Sequence, residues 1–299
     1  MEEIQRLKEE ILKEYPRLTK DSEFTFACHK DVSCFNNCCG DVNIFLTPYD
    51  ILRFKKALGI TSGEFLEKYT ISPFDKNLKY PIVLLKMRDD EKKTCQFVTK
   101  DGCGVYADRP WSCRMYPLGL ASPKEDSEAL NKEFYFLLKE TGCKGFDETR
   151  KWTVSEWLRE QGIAEYDEMG KEFKDITLHK LVQEGGILTP QKIEMFFMAC
   201  YDLDKFRGFV FKSSFFDKFV VDEETREALK KDDTALLKFG YRWLRFALLG
   251  EKTMTVEAEV MEAKKKELEA KKKAAEEAAE AREAAAKVDP TDKMNPKMN

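Results

Sequence analysis

Eight of the nine cysteines of this 299-residue chain stand between Cys28 and Cys143, and four of them, Cys28, Cys34, Cys38 and Cys39, crowd into CHKDVSCFNNCC. No other feature limits the fold so strongly, because the residues around these sulfurs read as turns and short extended runs. A region of that kind has little core of its own, and bonds from thiolates to an inorganic centre can hold such a fold together. The N-terminal MEEIQRLKEEILKEYPRL starts with acidic residues and has no apolar run. It does not read as a secretory leader, and a cytoplasmic protein is expected. Disulfides are rare in a reducing compartment, which leaves metal ligation or burial as the roles for an odd number of thiols.

With 42% hydrophobic residues and 22 Phe the chain can bury a sizeable core. Its net charge of -4 gives no electrostatic basis for a nucleic-acid partner. Nowhere do eighteen apolar residues run together, so no membrane span is expected. Composition divides the chain into a cysteine-cluster domain over 1–150 and a helical, aromatic-rich region over 151–250 packed on it. A charged Ala/Glu/Lys helix over 251–287 and a disordered tail over 288–299 follow. The fold class expected is α+β: a loop-rich cysteine-cluster domain with short strands and helices, then helices, then a long solvated C-terminal helix.

Within the first region, residues 3–14 carry a helical apolar face that Pro16 stops. VNIFL at 42–46 alternates like a short strand. Thr47 and Pro48 then open a helix that Gly59 closes, and Thr61 with Glu64 caps another through Tyr69. IVLLKM at 82–87 and CQFVT at 95–99 read as strands, with KDG at 100–102 as a turn. Further on, Trp152 and Trp157 flank a helix start, and KIEMFFMACYDLDKF at 192–206 reads as one buried helix. Leu236, Phe239, Trp243 and Phe246 recur at helical spacing before Gly250. In the charged helix Glu262 with Lys266 and Glu267 with Lys271 form i,i+4 pairs, while the apolar residues are too sparse for a coiled-coil seam.

Cys28, Cys34, Cys38, Cys39, Cys95, Cys103, Cys113 and Cys143 make twice four thiols. Four thiolates complete a tetrahedral zinc site, and four also serve a [4Fe-4S] or [2Fe-2S] cluster, so the count permits two centres or one centre with spare thiols. Spacing leaves the choice open. There is no C-x-x-C knuckle and no ferredoxin run, and Asp41 stands where a C-x3-C-x2-C motif would need its third cysteine. In extended backbone Cys38 and Cys39 would point to opposite sides and serve as a shared wall between two sites. In CGVYADRPWSCRMYPLG, prolines 110 and 117 stiffen the loop around Cys113. Arg114 there can offer planar donors beside a thiolate or form an ordinary ion pair, and Tyr106 and Tyr116 can shield the site.

These residues carry a family likeness. The order Cys28, Cys34, Cys38 and Cys39, then VNIFLTPYDILRFKKALG, then C-x7-C and GVYADRPWSCRMYP over 95–117, then CKGF over 143–146, resembles the YkgJ-type cysteine-cluster family. That family is a zinc- or iron-chelating domain and is related to flagellin lysine N-methylases. The likeness covers about residues 24–147, and RPWSCRMYP is its most specific part. It implies a metal- or cluster-binding module whose ligands are the eight cysteines above. The chain departs from the family's C-x2-C-x2-C-C, with C-x5-C from Cys28 to Cys34 and C-x3-C from Cys34 to Cys38, which sets Cys28 apart.

Cys200, inside MFFMAC, reads as a small hydrophobe of the core. His29 is either a ligand in place of a thiolate or a solvated loop histidine. No glycine-rich dinucleotide fingerprint, phosphate loop or H-E-x-x-H pair occurs. The reading is an iron-sulfur protein with an electron-transfer or redox role and an unidentified redox or protein partner. The alternatives are a zinc-stabilised interaction module and a protein-lysine N-methylase-like enzyme.

Overall fold

A computed structural model describes residues 16–73, 79–121, 133–185 and 187–286. The helix expected over 3–14 and the tail over 288–299 lie outside the described residues. The described elements begin with β1 (Glu23–Thr25), α1 (Pro48–Leu58), α2 (Ser62–Tyr69), β2 (Thr70–Ile71) and β3 (Leu84–Leu85). Then come β4 (Val98–Thr99), β5 (Gly102–Cys103), α3 (Trp111–Met115), β6 (Leu118–Ala121), β7 (Phe134–Leu137) and β8 (Lys151–Thr153). From there the chain is helical: α4 (Val154–Glu160), α5 (Ile163–Leu178), α6 (Lys180–Glu184), α7 (Pro190–Cys200), α8 (Leu203–Lys212), α9 (Phe215–Lys218), α10 (Glu223–Lys231), α11 (Asp233–Leu249) and α12 (Ala258–Ala286). Short antiparallel strands in the front half and helices behind make the α+β class expected from the sequence.

The helix boundaries follow local chemistry. Thr47 and Asp50 form a reciprocal capping box at the start of α1, and Pro48 occupies the first helical position, where its missing N–H costs nothing. Gly59 ends α1 at φ 66°, a left-handed conformation that glycine adopts without a Cβ penalty. Thr61 with Glu64 and Thr153 with Glu156 repeat the box at α2 and α4. The stretch 192–206 is not one helix. Asp202 leaves helical geometry and accepts the Lys205 N–H, so it caps α8 and splits the run into α7 and α8.

The strands are shorter than alternation suggested. They pair in antiparallel couples, β1 with β8, β2 with β3, β4 with β5 and β6 with β7. Residues 42–46 join a sheet only through the Phe45–Leu84 bridge, flanked by Leu46 N–H to Val83 O and Leu85 N–H to Ile44 O, both 2.9 Å. Of 82–87 and 95–99, only Leu84–Leu85 and Val98–Thr99 are strand, with a further bridge between Met87 and Cys95. Cysteine-bearing loops interrupt the ladders before they lengthen.

Two apolar cores hold these pieces. The larger unites Phe54 and Phe65 of α1 and α2 with Phe196, Phe206, Leu236 and Leu244 of the helical half. The smaller gathers Phe24, Phe26, Met115, Leu118, Val154, Trp157 and Ile163. Trp111 packs against both. Helix α12 is solvated along its described side chains, with Glu262–Lys266 and Glu267–Lys271 pairs at 3.2 and 2.5 Å. Among the described residues no helix is long and apolar enough to cross a membrane.

Candidate metal centre

The cysteines are placed by backbone pairing of loop on loop. Phe26 N–H donates to Arg150 O at 2.9 Å and Ala27 N–H to Gly145 O at 3.0 Å, so the chain entering Cys28 runs beside the chain leaving Cys143. Gly145 makes this approach possible. A Cβ there would lie 2.6 Å from the Phe26 ring and 2.7 Å from the Ala27 carbonyl oxygen. Phe26 cannot yield, because its ring is packed against Tyr116, Phe146 and Trp157. Gly145→Ala is therefore expected to lower stability by about 1–3 kcal/mol and to reduce metal content. Thermal unfolding and elemental analysis of the purified variant check both.

From Cys28 the chain winds through consecutive tight turns, with Val32 N–H to His29 O, Phe35 N–H to Val32 O and Asn37 N–H to Cys34 O. Asn36 adopts a left-handed conformation at φ 68°, and its Nδ2 donates to Thr99 O at 2.9 Å, tethering the CFNNCC turn to the β4–β5 hairpin. Residues Asn37–Cys39 form a 3-10 turn. The extended backbone that a shared wall at Cys38 and Cys39 would require is not what this turn adopts, and the two neighbouring thiols lie close enough to act on one another.

Beyond Cys39 the chain pairs with the Cys95 segment: Cys95 N–H donates to Cys39 O at 2.6 Å, and Gly40 bridges Thr94. A Cβ on Gly40 would stand 2.7 Å from Lys92 O. The β4–β5 hairpin then returns Cys103 opposite Val98, with Gly104 N–H to Phe97 O at 2.8 Å, and so folds Cys103 back toward Cys95. Cys113 sits on α3, pinned to α1 by Trp111 N–H donating to Asp50 Oδ1 at 2.8 Å.

The thiols fall into two neighbourhoods. Cys28 is exposed at the surface, yet desolvation by the groups around it, with the fields of Cys38, Cys34 and Cys143, pushes it up to about 11. Lys144 N–H donates to Cys34 Sγ at 3.1 Å. These four form an outer quartet whose Cys143 packs on the smaller core. Burial likewise pushes Cys113 up to about 12, with Cys95, Asp50 and Cys103 adding to it and Arg109 opposing. Cys95 is raised chiefly by burial, and Cys103 also acts on it. Cys39 has Cys95 and Cys113 as neighbours, completing an inner quartet against the larger core.

Cys38 and Cys39 join the two sets. A hydrogen bond with the Cys39 thiol, more than any other influence, brings Cys38 down to about 7, while the same contact holds Cys39 far up as the protonated partner. Among the described residues no three His, Cys, Asp or Glu side chains stand in a geometry that already encloses a metal ion. Deprotonation on metal binding is what would draw the sulfurs inward.

Two residues carry roles that the motif did not reveal. Asp50 is fully buried, and burial lifts its carboxyl to about 6 against the N–H groups of Trp111 and Thr47 that hydrogen-bond it. It fixes the start of α1 and the position of Cys113 together. Arg109, also buried, lies in the field of Cys113 and Cys103, donates to Tyr106 O and the Gln161 side chain, and stacks 3.7 Å from the Tyr106 ring. Arg114, expected beside a thiolate or in an ion pair, does neither. Its guanidinium is buried and donates to the carbonyls of Arg109, Gln161 and Ala107, 4.6 Å from the Tyr166 ring.

Of the two tyrosines expected to shield the site, Tyr106 is largely exposed. Tyr116 is held up by burial first and then by Cys143 and Cys38, so it stands beside the outer quartet. Among the described residues its buried hydroxyl has no partner in hydrogen-bond geometry, and neither has that of Ser112, next to Cys113 in the chain. Hydroxyl donors without partners next to thiols suit sulfurs that become anionic ligands. His29 is half exposed and faces Asp31 and Glu148 at 3.6 and 3.5 Å. Cys200 is buried in the larger core. Clefts of about 510 and 430 Å³, lined by residues such as Lys238 and Arg242 or Glu64 and Tyr69, include no cysteine.

A donor set of thiols sorted four and four fits tetrahedral zinc or an iron-sulfur cluster and little else. Comparison with known families agrees with that class. Residues 27–144 match the family CxxCxxCC, described as "Putative zinc- or iron-chelating domain". The match covers less than half of the chain; that stretch is similar to a cysteine-cluster family, and the likeness supports metal binding in general. Comparisons with curated proteins and with solved structures give no match.

Proposed function

We propose that the outer quartet (Cys28, Cys34, Cys38, Cys143) and the inner quartet (Cys39, Cys95, Cys103, Cys113) each ligate an iron-sulfur cluster, and that the protein transfers electrons between them and a partner. The observation that supports this reading is that adjacent Cys38 and Cys39 lead to different loops: Cys39 O accepts the Cys95 N–H at 2.6 Å, whereas Cys38 lies with Cys143 near Tyr116, where the Lys144 N–H donates to Cys34 Sγ at 3.1 Å. Two structural zinc sites gain nothing from such closeness, whereas one-electron exchange between centres does. When bound, the clusters supply one-electron redox chemistry at potentials set by hydrogen bonds, charge and burial.

The chain's own residues supply those settings. The Lys144 N–H donates to Cys34, and the Arg109 cation faces Cys113 and Cys103; both favour added negative charge on the sulfurs. The aromatic rings of the larger core keep water from the inner side. Protein isolated without oxygen is expected to be brown, with iron and labile sulfide in equal amounts and a paramagnetic signal on reduction. Colourless protein carrying about two zinc ions per chain would overturn the redox reading in favour of a structural module.

A further inference from the structure

The small sheet around β3 breaks the rule that a sheet with one buried face shows polar residues on the other. β3 lies between β2, through Ile71 opposite Leu84, and the extended residues 42–46, through Phe45 opposite Leu84. Residues directly opposite one another share a face. Ile44, Leu46, Val83, Leu85 and Thr70 fill the inner face and are buried. The outer face carries the row Phe45, Leu84, Ile71, with Phe45 56% and Ile71 49% exposed.

Three features say what covers this row. Its apolar area, about 300 Å² at most for three side chains, is well short of the roughly 1,200 Å² of a stable interface, so a permanent second copy does not fit and a transient partner does. Lys86 lies two residues beyond Leu84 and so on the same face, and it is exposed without a carboxylate partner among the described residues. Lys68, also exposed, rests 5.0 Å from the ring of Tyr69, whose carbonyl accepts the Lys86 N–H. Exposed Glu64 and Glu67 accompany Lys68, so the basic end of the rim is at Lys86, and that end calls for an acidic group on the partner. Finally, the strand leads straight to the inner quartet: Met87 bridges Cys95, and Gln96 Nε2 donates to Lys86 O at 2.9 Å.

We infer that this face docks an acidic one-electron carrier protein beside the inner quartet; the redox part rests on the iron-sulfur reading above. In the exchange the carrier's reduced cluster loses one electron and the inner centre gains it, with no bond made or broken. The probe is an acidic plant-type [2Fe-2S] ferredoxin, tested for binding to the full-length, metal-loaded protein and for electron exchange with it. Phe45→Ser with Ile71→Ser is expected to weaken binding at least about tenfold. Lys86→Glu is expected to weaken it too and to flatten its salt dependence, with metal content and circular dichroism unchanged in both variants.

A parent protein that does not bind the ferredoxin, or a double variant that binds it and exchanges electrons as well as the parent, overturns the proposal. The binding comparison uses no redox signal. A finding of zinc would remove electron exchange and leave the docking result standing, while failed docking would leave the iron content untouched.

Discussion

Cys38→Ala and Cys39→Ala, substitutions at adjacent positions, are expected to empty different centres. Each variant should keep about half of the parent's metal. Cys38→Ala should match Cys34→Ala in its residual spectrum, and Cys39→Ala should match Cys113→Ala. The reason is the proposed four-and-four grouping, in which Cys28 goes with Cys34, Cys38 and Cys143 and Cys113 with Cys95 and Cys103. The stability loss should be greater for the inner set, because the chain around Cys95 and Cys113 packs directly against the larger core. Cys200→Ala, deep in that core, serves as the control and should retain full metal content. Elemental analysis of the anaerobically purified variants reads the result. Indistinguishable residual spectra for Cys38→Ala and Cys39→Ala would dissolve the two quartets into one site.

Arg114→Met is expected to cost about 3 kcal/mol or more in urea unfolding of the loaded protein. The substitution keeps an unbranched, buried side chain but strips donors from the carbonyls of Arg109 and Gln161, which are buried, and of Ala107, which is partly so. Those carbonyls belong to the turn before α3 and to the link between α4 and α5, so their release frees Cys113 from the helical half. Arg114→Lys should restore less than half of the loss, since one ammonium cannot span three carbonyls held in the plane of a guanidinium fork. A cost within about 1 kcal/mol of zero would show that the loop is held by Asp50 and the smaller core alone.

The legible parts of this protein were those governed by neighbours in sequence. Capping boxes at Thr47 and Thr61, the proline at 48 and the glycines at 59 and 250 placed helix ends to within a residue, because capping is a contact over three or four positions. The helical stripe of Leu236, Phe239 and Trp243 went to the core as its spacing requires. Errors came where a long-range partner outcompeted the local pattern. Asp202 reads as one polar residue in an apolar run until Ser62 Oγ is found donating to it at 2.8 Å, which makes it a cap rather than a flaw in a longer helix. Arg114 reads as a cation beside a thiolate until the carbonyls of Arg109, Ala107 and Gln161 that take up its donors are seen.

The sequence by itself determined the inventory of thiols, eight in the front half and a ninth in an apolar helix, and the α+β class, since each depends on residue identity and local period. Only the tertiary structure bears on which of the eight sulfurs lie near one another. Their nearness depends on which loops lie side by side, Ala27 on Gly145 and Cys39 on Cys95, and on glycines whose missing side chains allow the contact. Pairings between residues 50 or 100 positions apart leave no period in the chain, because the backbone groups that make them are the same at every residue.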